Sequence, residues 1–330
     1  MSKKDYVRME AKENLLFDFP KMEITNKIRL IELFGGIGSQ AMALRDIGAD
    51  FEHYRLVEFD KYAVTSYNAI HGTTFTTTDI RDVHGPDLGI VDRDKYTYLL
   101  TYSFPCTDLS VAGQMKGMSK KDWEQGNSTR SGLLWEVERI LKELPEDQLP
   151  QVLLMENVPQ VHAEQNMADF ESWLAFLRSK GYQNHWQDLN AKDYGVPQNR
   201  ERCFCISILS KSYIDYEFPE KIPLDRVMKD YLEENVDEKY YIKNEKADKL
   251  IEQLVEDGVL EPEINPNEKI YMGNYYGRND GYDGAVFHPN GLCKKITHSV
   301  GGIADIIENR TEQNRTEQRI AHGRPLCQET

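Results

Sequence analysis

Between residues 28 and 210, short apolar runs alternate with stretches of helical spacing. IRLIELF (28–34) is rich in Ile and Leu and is followed by glycine, which reads as a strand buried on both faces. GGIGSQ comes next, then AMALRDIG, helical in spacing and stopped by Gly48. HYRLVEFD is a second strand and KYAVTSYNAIHG a second helix. TTTDI closes a third unit near Asp79, and YTYLLTYS is a fourth strand. SGLLWEVERILKEL (131–144) carries Leu133, Leu134, Val137, Ile140 and Leu141 along one helical face. QVLLMEN is a fifth strand, FESWLAFLRSKGY another amphipathic helix, and RCFCISIL a further strand. This alternation predicts an α/β fold built on a Rossmann-like, doubly wound and mostly parallel sheet. Ligands of such sheets sit at the carboxyl ends of the strands. The loop Gly35–Gly38, Glu58, Asp79, Cys106 and Glu156 all fall at those ends.

The alternation stops at about residue 210. From 215 to 263 the chain carries sixteen acidic and seven basic residues, a local balance of −9. With 40 basic and 55 acidic residues, the whole chain stands at −15. Such a chain is not a general electrostatic binder of nucleic acid. Most of the excess is confined to that one stretch, which leaves room for a basic cleft elsewhere. GNYYGRNDGYDGAVFHPNGLC then brings turn signals typical of short strands and loops. Four segments result: a leader (1–27), a main domain (28–210), a second, smaller region (211–300) and a polar tail (301–330). The tail contains NRTEQ at 309–313 and again at 314–318, and its apolar content is too low for a core of its own. No run approaches 18 apolar residues, so no membrane span or membrane partner is expected. The leader opens MSKKDYVRMEAKEN without an apolar core and does not read as a secretory signal. Five Cys without paired metal spacing predict a reducing, cytoplasmic setting, no disulfide framework and no metal.

FGGIG (34–38) lies between a strand and a helix. Glycines there let backbone approach a ligand, and a helix amino terminus offers N–H groups to it. Glu58 ends the second strand about twenty residues on, where an acidic residue takes ribose hydroxyls. Phe59 is placed to pack on an adenine ring and Asp79 to accept from its amino group. Each carboxylate alone is equally a solvated strand end; in this order they favour an adenosine-containing cofactor. YSFPCTDLS (102–110) sets Cys106 on a Pro-stiffened turn after a buried strand. The thiol is either a small hydrophobe filling a corner or a nucleophile held at the rim of the sheet. Glu156 and Asn157 close the fifth strand in MENVPQV, as functional groups or as a cap to the next helix. QNRER (198–202) leads into the last strand. Alternation would send Gln198, Arg200 and Arg202 to one side, as donors for phosphate or a polar base or as a surface salt-bridge row.

Together these segments resemble the C5-cytosine DNA methyltransferase family, from about residue 28 to about residue 300. LFGGIGSQ resembles the cofactor loop and VEFDKYAV the ribose and adenine segment. SFPCTDLS resembles the catalytic loop, ENVPQV the catalytic glutamate motif and QNRER the double-arginine motif. The order is the family's. The resemblance implies a class I methyltransferase domain over 28–210 and a target-recognition region over 211–300, with DNA readout in about 264–300. It implies S-adenosylmethionine as cofactor, held by Phe34, Gly35, Gly36, Gly38, Glu58, Phe59, Asp79, Ile80 and Pro105. It implies double-stranded DNA as substrate, a flipped-out cytosine, and attack of the Cys106 thiolate on ring carbon 6. Glu156 would hold or donate a proton on the N3 side of the ring. Arg202 and Arg200 would bind the base oxygen and backbone phosphates. Asn157 and Pro105 would set the turn, and Arg202 would favour the thiolate. A monomer is expected, with a restriction enzyme as a genetic rather than a physical partner.

Two departures stand out. Thr107 occupies the place where the family usually has Gln, on the loop around the flipped base. KKITHSVGGIADII resembles the lead-in to the family's closing segments, but the Arg-Leu-Thr…Glu and Gly-Asn-Ser/Ala-Val motifs do not come after it, as after a frameshift or truncation. An active methyltransferase and a truncated, weakly active or inactive family member acting at most as a DNA-binding remnant are therefore both open readings. An RNA cytosine methyltransferase is a third.

Overall fold

The computed structural model describes residues 22–109, 117–127, 129–232, 245–258, 268, 270–274 and 285–292 in full, and the backbone of 305–312 and 315–322. The chain divides into two compact units, Met1–Asp188 with Arg202–Phe218, and Leu189–Glu201 with Pro219–Thr330.

The first unit is built on six strands: β1 (Lys27–Leu33), β2 (Phe51–Val57), β3 (Tyr96–Tyr102), β4 (Val152–Asn157), β5 (Tyr182–Asn190) and β6 (Glu201–Leu209). Their spatial order is β2-β1-β3-β4-β6-β5. β2, β1, β3 and β4 run parallel, and β6 runs antiparallel to β4. Successive residues of β1 serve opposite faces. Ile28 and Leu30 join Leu99 and Val152 in one cluster, while Ile31 and Leu33 join Leu100 and Leu153 in another. Apolar residues are therefore needed on both faces, and the run IRLIELF supplies them at all but Arg29 and Glu32.

Helices cover both faces. α1 (Ser39–Asp46) seats Ala41 on the smaller cluster. α2 (Lys61–His71) is capped by Asp60, whose carboxylate accepts from the N–H groups of Tyr62 and Ala63, and it ends at Gly72 with φ 64°. α3 (Lys120–Glu124) is a short piece capped by Ser119. α4 (Leu134–Glu143) buries Leu134, Trp135, Val137, Ile140 and Leu141. α5 (Met167–Ser179) buries Phe170, Trp173, Leu174 and Leu177. Both buried indoles are satisfied: Trp135 donates to the Met118 carbonyl at 2.8 Å and Trp173 to the Tyr102 hydroxyl at 3.1 Å.

The structure departs from the sequence reading at three places in this unit. TTTDI forms no strand; Asp79 instead caps a short 3-10 turn, Ile80–Asp82. β5 is a strand that the apolar pattern did not reveal. The β6 ladder begins only at Glu201, so alternation does not reach back to Gln198 and Arg200. The backbone there closes two successive tight turns, Gln198 N–H to Val196 and Arg200 N–H to Gln198.

In the second unit α6 (Glu245–Glu256) packs Ala247, Leu250 and Leu254 against Met272 and Val286. Met272 lies on β7 (Tyr271–Asn274) and Val286 on β8 (Ala285–Phe287). Gly273 has φ 147°, and a Cβ there would stand 2.8 Å from Leu250, so the position excludes side chains. Two further strands, β9 (Asp305–Glu312) and β10 (Arg315–His322), complete a sheet of order β10-β9-β8-β7. Within the polar tail, residues 305–312 and 315–322 are thus paired backbone. Its near-repeat folds on itself, with Asn309 opposite Gln318 and Thr311 opposite Thr316. Most of 264–300 lies outside the described residues, as do residues 1–21 of the leader.

Candidate active site

Strand register brings the chemistry-bearing residues to one edge. Leu33 at the end of β1 stands opposite Val57 of β2 and Tyr102 of β3. Tyr102 stands opposite Met155 of β4, and Asn157 opposite Cys203 of β6. The carboxyl ends of four strands and the amino end of β6 therefore coincide. β1 leads outward to β2, and the chain then returns to β3 on the other side, which makes the β1/β3 edge a topological switch point.

A cavity of about 420 Å³ opens at that point. Its lining includes Phe34, Glu58, Phe59, Asp79, Ile80 and Pro105 from the sequence expectation, together with Thr78, Arg81, Ser103, Thr129 and Arg130. The glycine loop beside it is sharply turned: Phe34, Gly36 and Gly38 have φ 57°, 56° and 83°. A Cβ on Gly36 would meet nothing within 4 Å, so the peptide there faces open space. A Cβ on Gly38 would collide with Tyr67 and His71, and one on Gly35 with Leu56. Glu58 locks the loop: Oε2 accepts from Gly36 N–H at 3.0 Å and Oε1 from Asp60 N–H at 2.9 Å. Phe59 is 72% exposed, with a face available for stacking. Asp79 is held by Arg81, whose Nη2 donates at 2.5 Å, and this guanidinium keeps the carboxyl below its ordinary range.

The Cys106 turn is fixed by side chains from distant segments. Asn157 is buried and donates through Nδ2 to the Phe104 carbonyl at 3.0 Å. Ser131, fully buried, donates to the Pro105 carbonyl at 2.6 Å. Asp108 accepts from Arg130 N–H at 2.8 Å through its side chain and from Gly117 N–H at 2.9 Å through its carbonyl. Thr129 donates to the Gly117 carbonyl at 2.8 Å. Cys106 is half-buried on this frame, packed against the main core, and Thr107 is exposed. Residues 110–116 lie outside the described set. Sequence reasoning missed Thr129–Ser131 because no local pattern marks contacts made across 12 to 26 residues.

Glu156 and Arg202 face each other across β4 and β6. Nε of Arg202 donates to Oε1 of Glu156 at 2.9 Å, with the side chains 9% and 22% exposed respectively. A charge-assisted pair this shielded fixes both groups. Arg200 belongs to the second unit, where its N–H donates to Asn190 Oδ1 at 3.1 Å.

Beneath the glycine loop lies a buried acid. Glu32 on β1 is fully buried, and burial pushes its carboxyl up to about 7. Tyr67 donates to it at 2.5 Å, which makes His53 Nδ1, 2.7 Å from the same hydroxyl, the donor to Tyr67. A raised carboxyl binds its proton more tightly folded than unfolded. Its contribution to stability is complete below the unfolded value near 4.5 and is lost as pH rises through about 7. Glu32→Gln is expected to flatten the fall in stability between those pH values. Urea unfolding at a series of pH values measures it; an unchanged slope would assign the fall elsewhere.

A glycine turn, a strand-end carboxylate and a cavity at the switch point of a mostly parallel sheet define a class I methyltransferase fold. The match to the C-5 cytosine-specific DNA methylase family model spans residues 28–321, and the chain belongs to that family. The type II methyltransferase M2.ScrFI of Lactococcus lactis subsp. cremoris is 35% identical over 264 residues, covering 66% of this chain and 71% of that protein. The orphan methyltransferase M.SssI of Spiroplasma monobiae is 33% identical, covering 67% and 68%. Among solved structures, the Dnmt2 methyltransferase of S. pombe shares the fold with TM-score 0.55 and 18% identity, covering 87% of this chain and 78% of that one. No helix among the described residues is long and apolar enough to cross a membrane.

Proposed function

We propose that this chain transfers a methyl group from S-adenosylmethionine to carbon 5 of cytosine in double-stranded DNA, through a covalent bond between Cys106 and carbon 6. The observation that supports it most is the meeting of the Cys106 turn, the Glu156–Arg202 pair and the glycine-loop cavity at one sheet edge. The cavity's volume falls in the range of small-ligand sites. Its open Gly36 peptide, its oriented Glu58 and its exposed Phe59 fit a ribose and an adenine. Ile80 and Pro105 would close its walls. The bound cofactor supplies an electrophilic methyl group.

The protein's own residues do the rest. Asn157 and Ser131 hold the two carbonyls flanking Pro105, so the Cys106 sulfur is presented without reorganisation. Attack on carbon 6 pushes charge toward N3, where Glu156 holds or donates the proton. Arg202 sets the orientation of Glu156 and, with Arg200, takes the base oxygen and phosphates. After methyl transfer, loss of the carbon-5 proton and expulsion of the thiolate restore the ring. The domain boundaries given from sequence, a monomeric state and a restriction enzyme as genetic partner belong to the same proposal. Methyl transfer from labelled cofactor to mixed-sequence DNA and RNA, with bisulfite readout, tests it; label on RNA alone would overturn the choice of substrate.

Cofactor affinity should depend on Glu58. Glu58→Ala removes the ribose acceptor and releases the Gly36 and Asp60 amides. A loss of about 1–3 kcal/mol in S-adenosylmethionine binding is expected by calorimetric titration. Unchanged affinity would move the cofactor elsewhere.

The 305–322 hairpin, standing where the family's closing motifs would fall, supports a second reading, that turnover is weak. Grafting a family closing segment after Ile307 should then raise turnover. Normal steady-state kinetics with micromolar cofactor binding in the 330-residue chain would remove this reading.

A further inference from the structure

Three different donors meet on one face of the sheet, beside but outside the proposed catalytic pair. Asp188 on β5 and Cys203 on β6 belong to neighbouring strands, and His162 comes from the 3-10 turn Pro159–His162 after β4. Their ligand atoms lie within 4.8 Å of one another. His162 Nε2 is 3.0 and 2.9 Å from the two Asp188 oxygens, and the Asp188 carboxylate also accepts from the Cys203 thiol. Cys203 is fully buried, while His162 and Asp188 are 21% and 28% exposed. Trp186, two residues before Asp188, stands 4.8 Å from the His162 ring, and Phe170 stands 6.2 Å from it.

We propose that His162, Asp188 and Cys203 form a binding site for a thiophilic divalent cation of the zinc type. Without a cation, His162 and Asp188 form an ion pair and the Cys203 thiol donates to the same carboxylate. A borderline cation is the one species that imidazole, carboxylate and thiolate serve together. Tetrahedral zinc needs donor separations of about 3.3–3.8 Å, so the three side chains need shift by no more than about an ångström. The aromatic wall of Trp186 and Phe170 lowers the local dielectric, which strengthens metal–ligand attraction. On binding, the Cys203 thiol gives its proton to solvent, the sulfur bonds the cation, and water fills the fourth position. The cation would tie the turn after Glu156 to the strand that carries Arg202, clamping that pair. The clamp's consequence for chemistry rests on the proposed function; the binding site does not.

Cobalt(II) titration of the chelator-treated full chain tests the site without using activity. One equivalent is expected to produce a near-ultraviolet thiolate-to-cobalt charge-transfer band, which zinc abolishes by displacement. The band should persist in Cys106→Ser and vanish in Cys203→Ser. His162→Gln and Asp188→Asn should each weaken binding at least about tenfold. No stoichiometric band in the natural chain, or a band that survives Cys203→Ser, overturns the proposal. Should Cys203→Ser fail to fold by circular dichroism, the other two variants decide: cobalt binding as tight as in the natural chain overturns it equally.

Discussion

Cys106→Ser is expected to lower methyl transfer by at least about a thousandfold while leaving the fold in place. The two side chains differ little in size, and Cys106 is only half-buried, so no cavity forms. On the proposed mechanism, what changes is the nucleophile. A hydroxyl has neither the polarizability nor the acidity of a thiol, and nothing in the Asn157–Ser131 frame serves as its general base. DNA carrying 5-fluorocytosine separates chemistry from binding, because fluorine at carbon 5 blocks the final proton loss and traps the adduct. The natural chain should form the trapped species and the variant should not, at similar DNA affinity. An adduct formed by the variant would remove Cys106 from the mechanism.

Arg202→Ala should be the most costly single change for stability at the site, by about 3 kcal/mol. It takes away the partner that neutralises Glu156 across β4 and β6, and it strips a buried aliphatic stem from the start of β6. Turnover should fall as well, since Glu156 loses the group that orients it. Arg202→Lys keeps the charge but not the planar donor, and should recover part of the stability with less of the rate. Urea denaturation of the three proteins gives the order. Arg202→Ala within about 1 kcal/mol of the natural chain, a marginal effect by the usual standard for a broken buried pair, would make the contact incidental.

How far the sequence could be read depends on what each strand must bury. β1, β3 and β4 lie between helices on both faces, so their composition is forced and they stand out as apolar runs. β5, YQNHWQDLN, is an edge strand of mostly half-buried polar residues, and no run marks it. The antiparallel course of β6 is invisible for another reason: side-chain periodicity is the same in either direction. NRTEQ repeats look structureless because their strands are held by backbone pairing, which composition does not report. At the candidate site, the ordered motifs pointed to Cys106, Glu156 and the glycine loop, which the strand register brings to one edge. The hydroxyl of Ser131 and the backbone N–H of Arg130 were out of reach, because their partners at Pro105 and Asp108 lie in another segment.

Glu58 has one more consequence. Its two carboxylate oxygens are already bridged to the amides of Gly36 and Asp60 in the protein alone. The side chain therefore loses its rotamer freedom during folding, and a ligand meets an acceptor that needs no further ordering. Loop and carboxylate also report on each other: a change that unseats the Gly36 peptide releases Glu58, even from outside the cavity. If Glu58 takes the cofactor ribose as proposed, affinity is thus a property of the loop's curvature as much as of any atom that touches the sugar. On the proposed function, the left-handed Gly36, where an added Cβ would meet nothing, acts on binding through the curvature of the loop and its N–H bond to Glu58.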